Sequence, residues 1–397
     1  MEKAYPVLAG DEPDADLAMV AGQLGRFLAI AGRVKEAIPL LEEALTLAEG
    51  LELPELYAMA LSSRGVALMT MGRHDEAETM QRRAVQVALE HGFTFAALRG
   101  YNNLGAVLDG RERYVDLAEI TEEALAFARR AGSRGQELSL IISSVSVLVE
   151  LGRWDEALAR AREVEAAEEL KSMEWATSGL MVLVSIHARR GSMEDAARHL
   201  ESAQGFRASP NEEHRSMFAF VEGDWLLVQG RAEEALALAL GALPSREMLG
   251  LENPGVKRVL VVAVEAALAL GDVAQAEELL RVIESARPGE VSPYLRGHGA
   301  RLAARVAALQ GLPDGVVEGG FGAAEREFRE LGMPWDLGIA LVEHAEFLAG
   351  HGRASEALGP AAEARELFER LGARPSIERA SRVVGAEAGA SASAGRT

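Results

Sequence analysis

The chain has 397 residues, 49% of them hydrophobic but only 5% aromatic, no cysteine, and a formal charge of −20 from 61 acids against 41 bases. A field of that sign repels nucleic acid and anionic membrane surfaces, so direct binding to either is not expected. The missing thiols exclude disulfides, thiol nucleophiles and Cys-ligated zinc.

Taken in order, residues 1–13 hold Pro6, Gly10 and Pro13 and read as an irregular lead-in. They lack the basic region and apolar stretch of a secretion signal, and a cytoplasmic setting is expected. Asp11, Glu12, Asp14 and Asp16 form an acidic cluster without the ordered glycine turn of a calcium loop, so it reads as a solvated helix start with Asp14 as N-cap. An apolar-periodic run then leads to Gly32-Arg33-Val34-Lys35-Glu36-Ala37. Copies of this stretch begin at Gly72, Gly152, Gly230 and Gly352, with weaker ones at Gly191, Gly271 and Gly311 and a glycine-less one at Glu112. The spacing of about 40 residues marks an array of supersecondary units, not a globule with one core.

Each copy lies between two apolar-periodic runs and reads as the turn of an antiparallel helix pair. The acid at its fifth place falls in the first turn of the next helix, where it complements the dipole. The alanine at its sixth place, as at Ala37, Ala77, Ala157, Ala196, Ala235, Ala276 and Ala357, implies close passage of a neighbouring helix. The expected fold is therefore all-α: an α-solenoid of about nine antiparallel helix pairs. One continuous domain is expected over 14–382, with an Ala/Ser/Gly-rich disordered tail over 383–397. Links at 244–254 and 287–293 mark candidate elbows. In the eighth unit, Leu312-Pro313-Asp314-Gly315 and Gly319-Gly320-Phe321-Gly322 are expected to interrupt the second helix. No Lys-Ser/Thr follows these glycines and no strand precedes them, so they are no phosphate loop. The apolar run 259–270, broken by Glu265, is too short for a membrane span.

Leu104-Gly105 after Tyr101-Asn102-Asn103, followed by Ala124, resembles the tetratricopeptide repeat. The period of about 40 suits armadillo or HEAT repeats better, but the pattern of small residues decides for the tetratricopeptide type. Leu331-Gly332-Met333-Pro334 and the closing Leu367-Phe368-Glu369-Arg370-Leu371-Gly372-Ala373-Arg374-Pro375 add a second likeness. With the Gly-Arg-Trp-Asp-Glu-Ala turn, they resemble the helical-repeat segment of bacterial ATP-binding LuxR-type, maltose-regulator-like transcriptional regulators and of cyclase–ATPase–repeat signalling proteins. The resemblance implies a right-handed superhelix, and a module that senses a partner or inducer and restrains an ATPase or output domain. This chain shows no phosphate-loop motif, cyclase domain or terminal helix-turn-helix.

In such an array the first helices of successive pairs line the groove. The register places Arg99, Asn102, Met181, Phe220, Asp224, Arg258, Glu265, His298, Arg301 and Arg305 there. His298, Arg301 and Arg305 share one helix face and, with Arg258 one unit earlier, form a candidate anion pocket. The competing expectation is that these arginines pair with the chain's abundant acids. Arg99 and Asn102 form a second candidate, an asparagine being able to clamp an extended peptide backbone. Met181, Met217 and Phe220 would make an apolar floor or inter-repeat core. The eight histidines show no metal-ligand spacing, and no nucleophile elbow, triad or dinucleotide fingerprint is present. No cofactor or metal is expected. The function expected is a non-enzymatic peptide- or protein-binding regulatory module. The alternatives are a sensor of a small anionic inducer and, less favoured, an all-helical toroid enzyme, which would need a closed ring with converging acids or histidines.

Overall fold

The computed structural model describes residues 1–10, 12–167, 174–287 and 289–394, and among them there is no strand. Asp11 of the acidic cluster, Pro288 of the second link and the last three tail residues lie outside the described residues. The chain divides into two compact units, 1–140 and 141–397.

Unit 1 begins with a helical turn where an irregular lead-in is expected, α1 (Tyr5–Leu8). Tyr5 packs on the first pair and donates its hydroxyl to Glu43, and that pairing raises the Tyr5 phenol to about 12. Then come the pairs α2 (Ala15–Ile30) and α3 (Val34–Gly50), α4 (Pro54–Thr70) and α5 (His74–Glu90), and α6 (Thr94–Gly110) and α7 (Tyr114–Arg130). Asp14 caps α2 by accepting from the Leu17 N–H at 2.9 Å. The unit ends within α8 (Arg134–Glu150).

Unit 2 continues with α9 (Trp154–Glu165), α10 (Glu174–Leu180), α11 (Leu183–Arg189) and α12 (Met193–Ser202). Next are α13 (Glu212–Val228), α14 (Ala232–Ala242), α15 (Arg246–Leu249), α16 (Pro254–Ala269) and α17 (Val273–Glu284). It finishes with α18 (Pro293–Leu309), α19 (Asp314–Leu331), α20 (Pro334–Gly350), α21 (Ala354–Leu371) and α22 (Arg374–Ala394). The last of these carries helix into the stretch expected to be disordered.

The repeated turn does more than its acid alone suggests. Its arginine folds over the acid three residues on as a two-pronged fork, at 2.8 and 2.7 Å for Arg33–Glu36 and 2.8 and 2.6 Å for Arg353–Glu356. These are exposed pairs, so they fix the local geometry of the helix start and add little to global stability. The alanine of the turn is fully buried at Ala37, Ala77, Ala157, Ala196, Ala235 and Ala276, where the partner helix crosses.

The glycines of the eighth unit do not break its second helix: α19 runs unbroken for 18 residues. A Cβ on Gly320 would lie 2.9 Å from the Ala304 Cβ and 3.0 Å from the Ala300 carbonyl. The glycine lets α18 and α19 touch backbone to backbone, a gain in packing that offsets its low helix propensity.

Unit 2 also closes on itself. One core cluster joins Val145, Leu148, Trp154, Ala161 and Ile186 near its start to Phe328, Leu341, Leu367, Phe368 and Ala380 near its end. Trp154 and Trp335 lie 5.7 Å apart, and Arg189 stacks 4.6 Å over the Trp335 ring. The Arg190 Nε donates at 2.9 Å to the carbonyl of Leu371, the last residue of α21, whose acceptor has no partner within its helix. Gly152 marks the tightest point. Its backbone is left-handed (φ 69°) like the other turn glycines, but a Cβ there would meet Pro334 at 2.3 Å and Leu371 at 2.8 Å. At Gly32, Gly72, Gly230, Gly271, Gly311 and Gly352 a Cβ would meet nothing within 4 Å.

Two glycine-to-alanine variants test the closure. Gly230→Ala carries only the left-handed backbone penalty, about 1–2 kcal/mol. Gly152→Ala carries the same penalty plus overpacking of about 1–3 kcal/mol. Urea denaturation is expected to place Gly152→Ala clearly below Gly230→Ala.

Candidate functional site

First helices of successive pairs pack directly on one another: α2 on α4 and α4 on α6 in unit 1, and α11 on α13, α13 on α16 and α16 on α18 in unit 2. The residues expected to line the groove meet opposite electrostatic fates in the two units.

In unit 2 the expected basic face forms on α18, and acids from both neighbouring helices cover it. Arg301, only 1% exposed, donates to Glu343 of α20 at 3.0 and 2.9 Å and to Glu265 of α16. Arg305 reaches Glu265 as well, and lies 3.2 Å from Glu343. Burial alone raises the Glu265 carboxyl, but Arg301 and Arg305 outweigh it and hold that group far below the usual carboxylate range. His298 lies 3.1 Å from Asp336 through Nε2 and 3.2 Å from Arg301 Nη2 through Nδ1. A guanidinium only donates, so Nδ1 accepts and the ring proton sits on Nε2, pointing at Asp336. Burial lowers the His298 pKa and Arg301 adds to that, although the Asp336 hydrogen bond opposes them.

The chain of pairs extends around the unit. Arg258 bonds Glu150 of α8, donates to the Pro254 carbonyl at 3.1 Å, and stacks over Phe220 (5.7 Å) and Tyr294 (5.2 Å). Asp224 lies 3.1 Å from Arg189, an ion contact without hydrogen-bond alignment. Arg379 of α22 grips Glu346 at 2.8 and 2.7 Å. Phe220 and Met181 are buried, the latter in the bend between α10 and α11. Each guanidinium of the expected anion pocket thus already faces a carboxylate, and the arginine–acid pairing expected as the alternative accounts for them.

Unit 1 differs. Arg99 of α6 donates to Ser63 Oγ at 2.6 Å and approaches Met59 Sδ at 3.5 Å, both on α4. Among the described residues no carboxylate lies within 4 Å of it. Burial, with Arg26 of α2 nearby, pulls the Arg99 pKa down to about 10. It still carries its charge at neutral pH, without a counter-ion. Two of its five N–H bonds are used, so three remain. Beside it Asn103 donates to Ser62 Oγ at 2.8 Å, and the exposed Asn102 reaches Gln136 of α8 at 3.2 Å.

The acids that neutralise unit 2 carried a signal in the sequence. Asp336 follows His298 by 38 residues, Glu343 follows Arg301 by 42, and Glu265 precedes Arg301 by 36. Positions one repeat apart face each other on adjacent first helices. Ser63 stands 36 residues before Arg99 by the same rule.

Tetratricopeptide-repeat models match residues 16–90 and 144–213. No curated protein matches the sequence. Among solved structures, a Rap protein complexed with competence and sporulation factor is similar over 90% of this chain and 99% of its own, at TM-score 0.66 and 13% identity. NprR in complex with its cognate peptide NprX is similar over 83% of this chain and 91% of its own, at TM-score 0.56 and 13% identity. The apo form of RapI covers 91% and 99%, at TM-score 0.50 and 12% identity. These likenesses show the fold: an α-solenoid of tetratricopeptide type. No helix among the described residues is long and apolar enough to cross a membrane.

Unit 2 should be sensitive to acid. The folded pKa of His298 lies below its unfolded value of about 6.5, so the unfolded chain takes up the proton first. The neutral-histidine contribution is complete above about 6.5 and is lost as the pH falls through the folded pKa, at a slope of at most about 1.4 kcal/mol per pH unit. His187 and His199 are also lowered, mainly by burial, and act with the same sign. His298→Gln keeps one donor and one acceptor but does not titrate. Denaturation between pH 8 and pH 5 is expected to show a shallower loss for it. Arg301→Ala, which takes from the buried Glu343 both of its hydrogen bonds to that guanidinium, should cost about 3–5 kcal/mol in the same assay.

Proposed function

We propose that this protein is a non-enzymatic, peptide-binding regulatory module of a bacterial signalling system, and that the inner face of unit 1 receives the peptide. The observation that carries the reading is Arg99, half-buried on that face with no acid beside it. A desolvated guanidinium gains most from a carboxylate supplied from outside, since that anion removes the cost of burying the charge. Asn102 and Asn103 stand within one helical turn of Arg99 and offer amides to the backbone of an extended chain. The inner face of unit 2 offers no such anchor, and this argues against a small anionic inducer at Arg301 and Arg305.

The structural likenesses lean the same way. Two of the similar proteins were solved with a peptide or signalling factor bound. The resemblance to the ATP-binding LuxR-type regulators adds the expectation that the module restrains an ATPase or other output domain in the cytoplasm. Peptide binding would shift the curvature of weakly coupled repeat interfaces and so change that restraint.

Selection of random heptapeptides against the full chain tests the proposal. Binders with a carboxylate are expected, and Arg99→Gln should weaken them about tenfold or more, or about 1.4 kcal/mol, with unchanged helicity by circular dichroism. If no peptide is enriched, or if the variant binds as tightly as the wild type, the proposal fails.

A further inference from the structure

Among the described residues of unit 1, five arginines are half-buried. Arg64 pairs with Glu42 at 2.6 Å, Arg113 with Glu78 at 2.6 Å, and Arg111 with Asp75. Arg26 and Arg99 are the other two, and among the described residues neither has a carboxylate within 4 Å. A chain that carries −20 thus leaves two half-buried guanidinia without an anion.

The two belong together in the fold. Arg26 follows Gly25 as Ala106 follows Gly105, and Ala106 lies one turn beyond Asn102 and two beyond Arg99 on α6. Arg26 therefore stands on the face of α2 that corresponds to the face of α6 bearing Arg99 and Asn102. The helix between them is α4, which packs on both. Arg99 leans over α4 to Ser63, and Arg26 precedes Ser63 by nearly the interval at which Ser63 precedes Arg99. Arg26 is also the charge that, after burial, lowers the Arg99 pKa.

One guanidinium fork fills one carboxylate, so two free guanidinia call for two carboxylates. An extended chain turns successive side chains to opposite faces and alternate ones to the same face, about 7 Å apart. Acids on neighbouring residues would engage one arginine and point away from the other. Acids with one residue between them can engage both. The surroundings suit a peptide better than a free dicarboxylate. On the same face of α2, Met19 and Ile30 are 45% and 61% exposed, and Arg26 itself lies 5.6 Å over the exposed ring of Phe27.

We propose that the peptide received by unit 1 carries two acidic residues with one residue between them, and that it runs across α4 with one carboxylate on Arg26 and the other on Arg99. The inference rests on the peptide-binding reading of unit 1 and adds to it the spacing of the charges. Each carboxylate also relieves the repulsion between the two guanidinia, so the second acid contributes more than a remote charge would.

Three pools of heptapeptides with capped termini test the spacing against the full chain. Glutamate is fixed at the third and fifth places, at the third and fourth, or at the third alone, with random uncharged residues elsewhere. The first pool is expected to be retained about tenfold better than either of the others. Arg26→Gln, with unchanged circular dichroism, should erase that preference, and Arg26→Lys, which keeps the charge but not the fork, should reduce it. The comparison of pools on the wild type needs no variant and decides by itself. If the wild type retains the second or third pool as well as the first, or if folded Arg26→Gln keeps the preference, the spacing rule is overturned while the peptide reading of unit 1 stands. If no pool is retained, that reading fails and the spacing rule with it.

Discussion

Close passage of helices over a small residue is the constraint on which the rest of this structure depends. Where each turn delivers an alanine to the crossing point, the second helix of a pair lies against the first with little side chain between them. In the pairs that carry it, that contact lets the two helices pack closely, and the first helix of one pair lies alongside the first helix of the next. The pairings between neighbouring repeats follow from this stacking, because residues one period apart become neighbours. The glycines of the eighth unit obey the same rule: Gly320 removes a side chain so that α18 and α19 can approach further than alanine would allow.

Two different uses of charge are built on this common frame. In unit 2 the first helices carry an internally satisfied chain, Arg258 with Glu150, Arg301 with Glu265 and Glu343, and His298 with Asp336. Buried pairs of this kind repay their desolvation only when every partner is present, so they specify one arrangement more than they stabilise it. In unit 1 the corresponding face keeps Arg99 without an acid. A repeat protein can thus present the same backbone twice, once with its inner surface spent on itself and once with it held open.

The period, the turn, the buried alanine and the all-helical class were legible because each is a local pattern repeated along the chain. The pairing of Arg301 with Glu343 was legible in principle, since both fall on one register separated by one repeat, but a basic stripe read alone looks like a pocket. The contact of Arg190 with the Leu371 carbonyl was not legible, because it spans 181 residues and depends on curvature summed over many small tilts. Helix α19 was misread for a related reason. Gly319, Gly320 and Gly322 look like helix breakers by propensity, while their value lies in the helix they pack against. The lack of an acid near Arg99 also escaped the sequence, since a missing neighbour leaves no mark in a linear pattern.

The tight approach of Gly152 to Pro334 has a consequence for how such a chain can change over generations. Repeat arrays lengthen and shorten by duplication or loss of whole pairs, which an open array tolerates because each pair touches only its neighbours. In unit 2 an extra pair would carry Pro334 and Leu371 past Gly152 and set some other turn against it, one whose residue lacks the space to be met. Copy number in this half of the chain is therefore constrained by the seam, where the Gly152 contact is joined by the Trp154–Trp335 packing and the Arg190–Leu371 hydrogen bond.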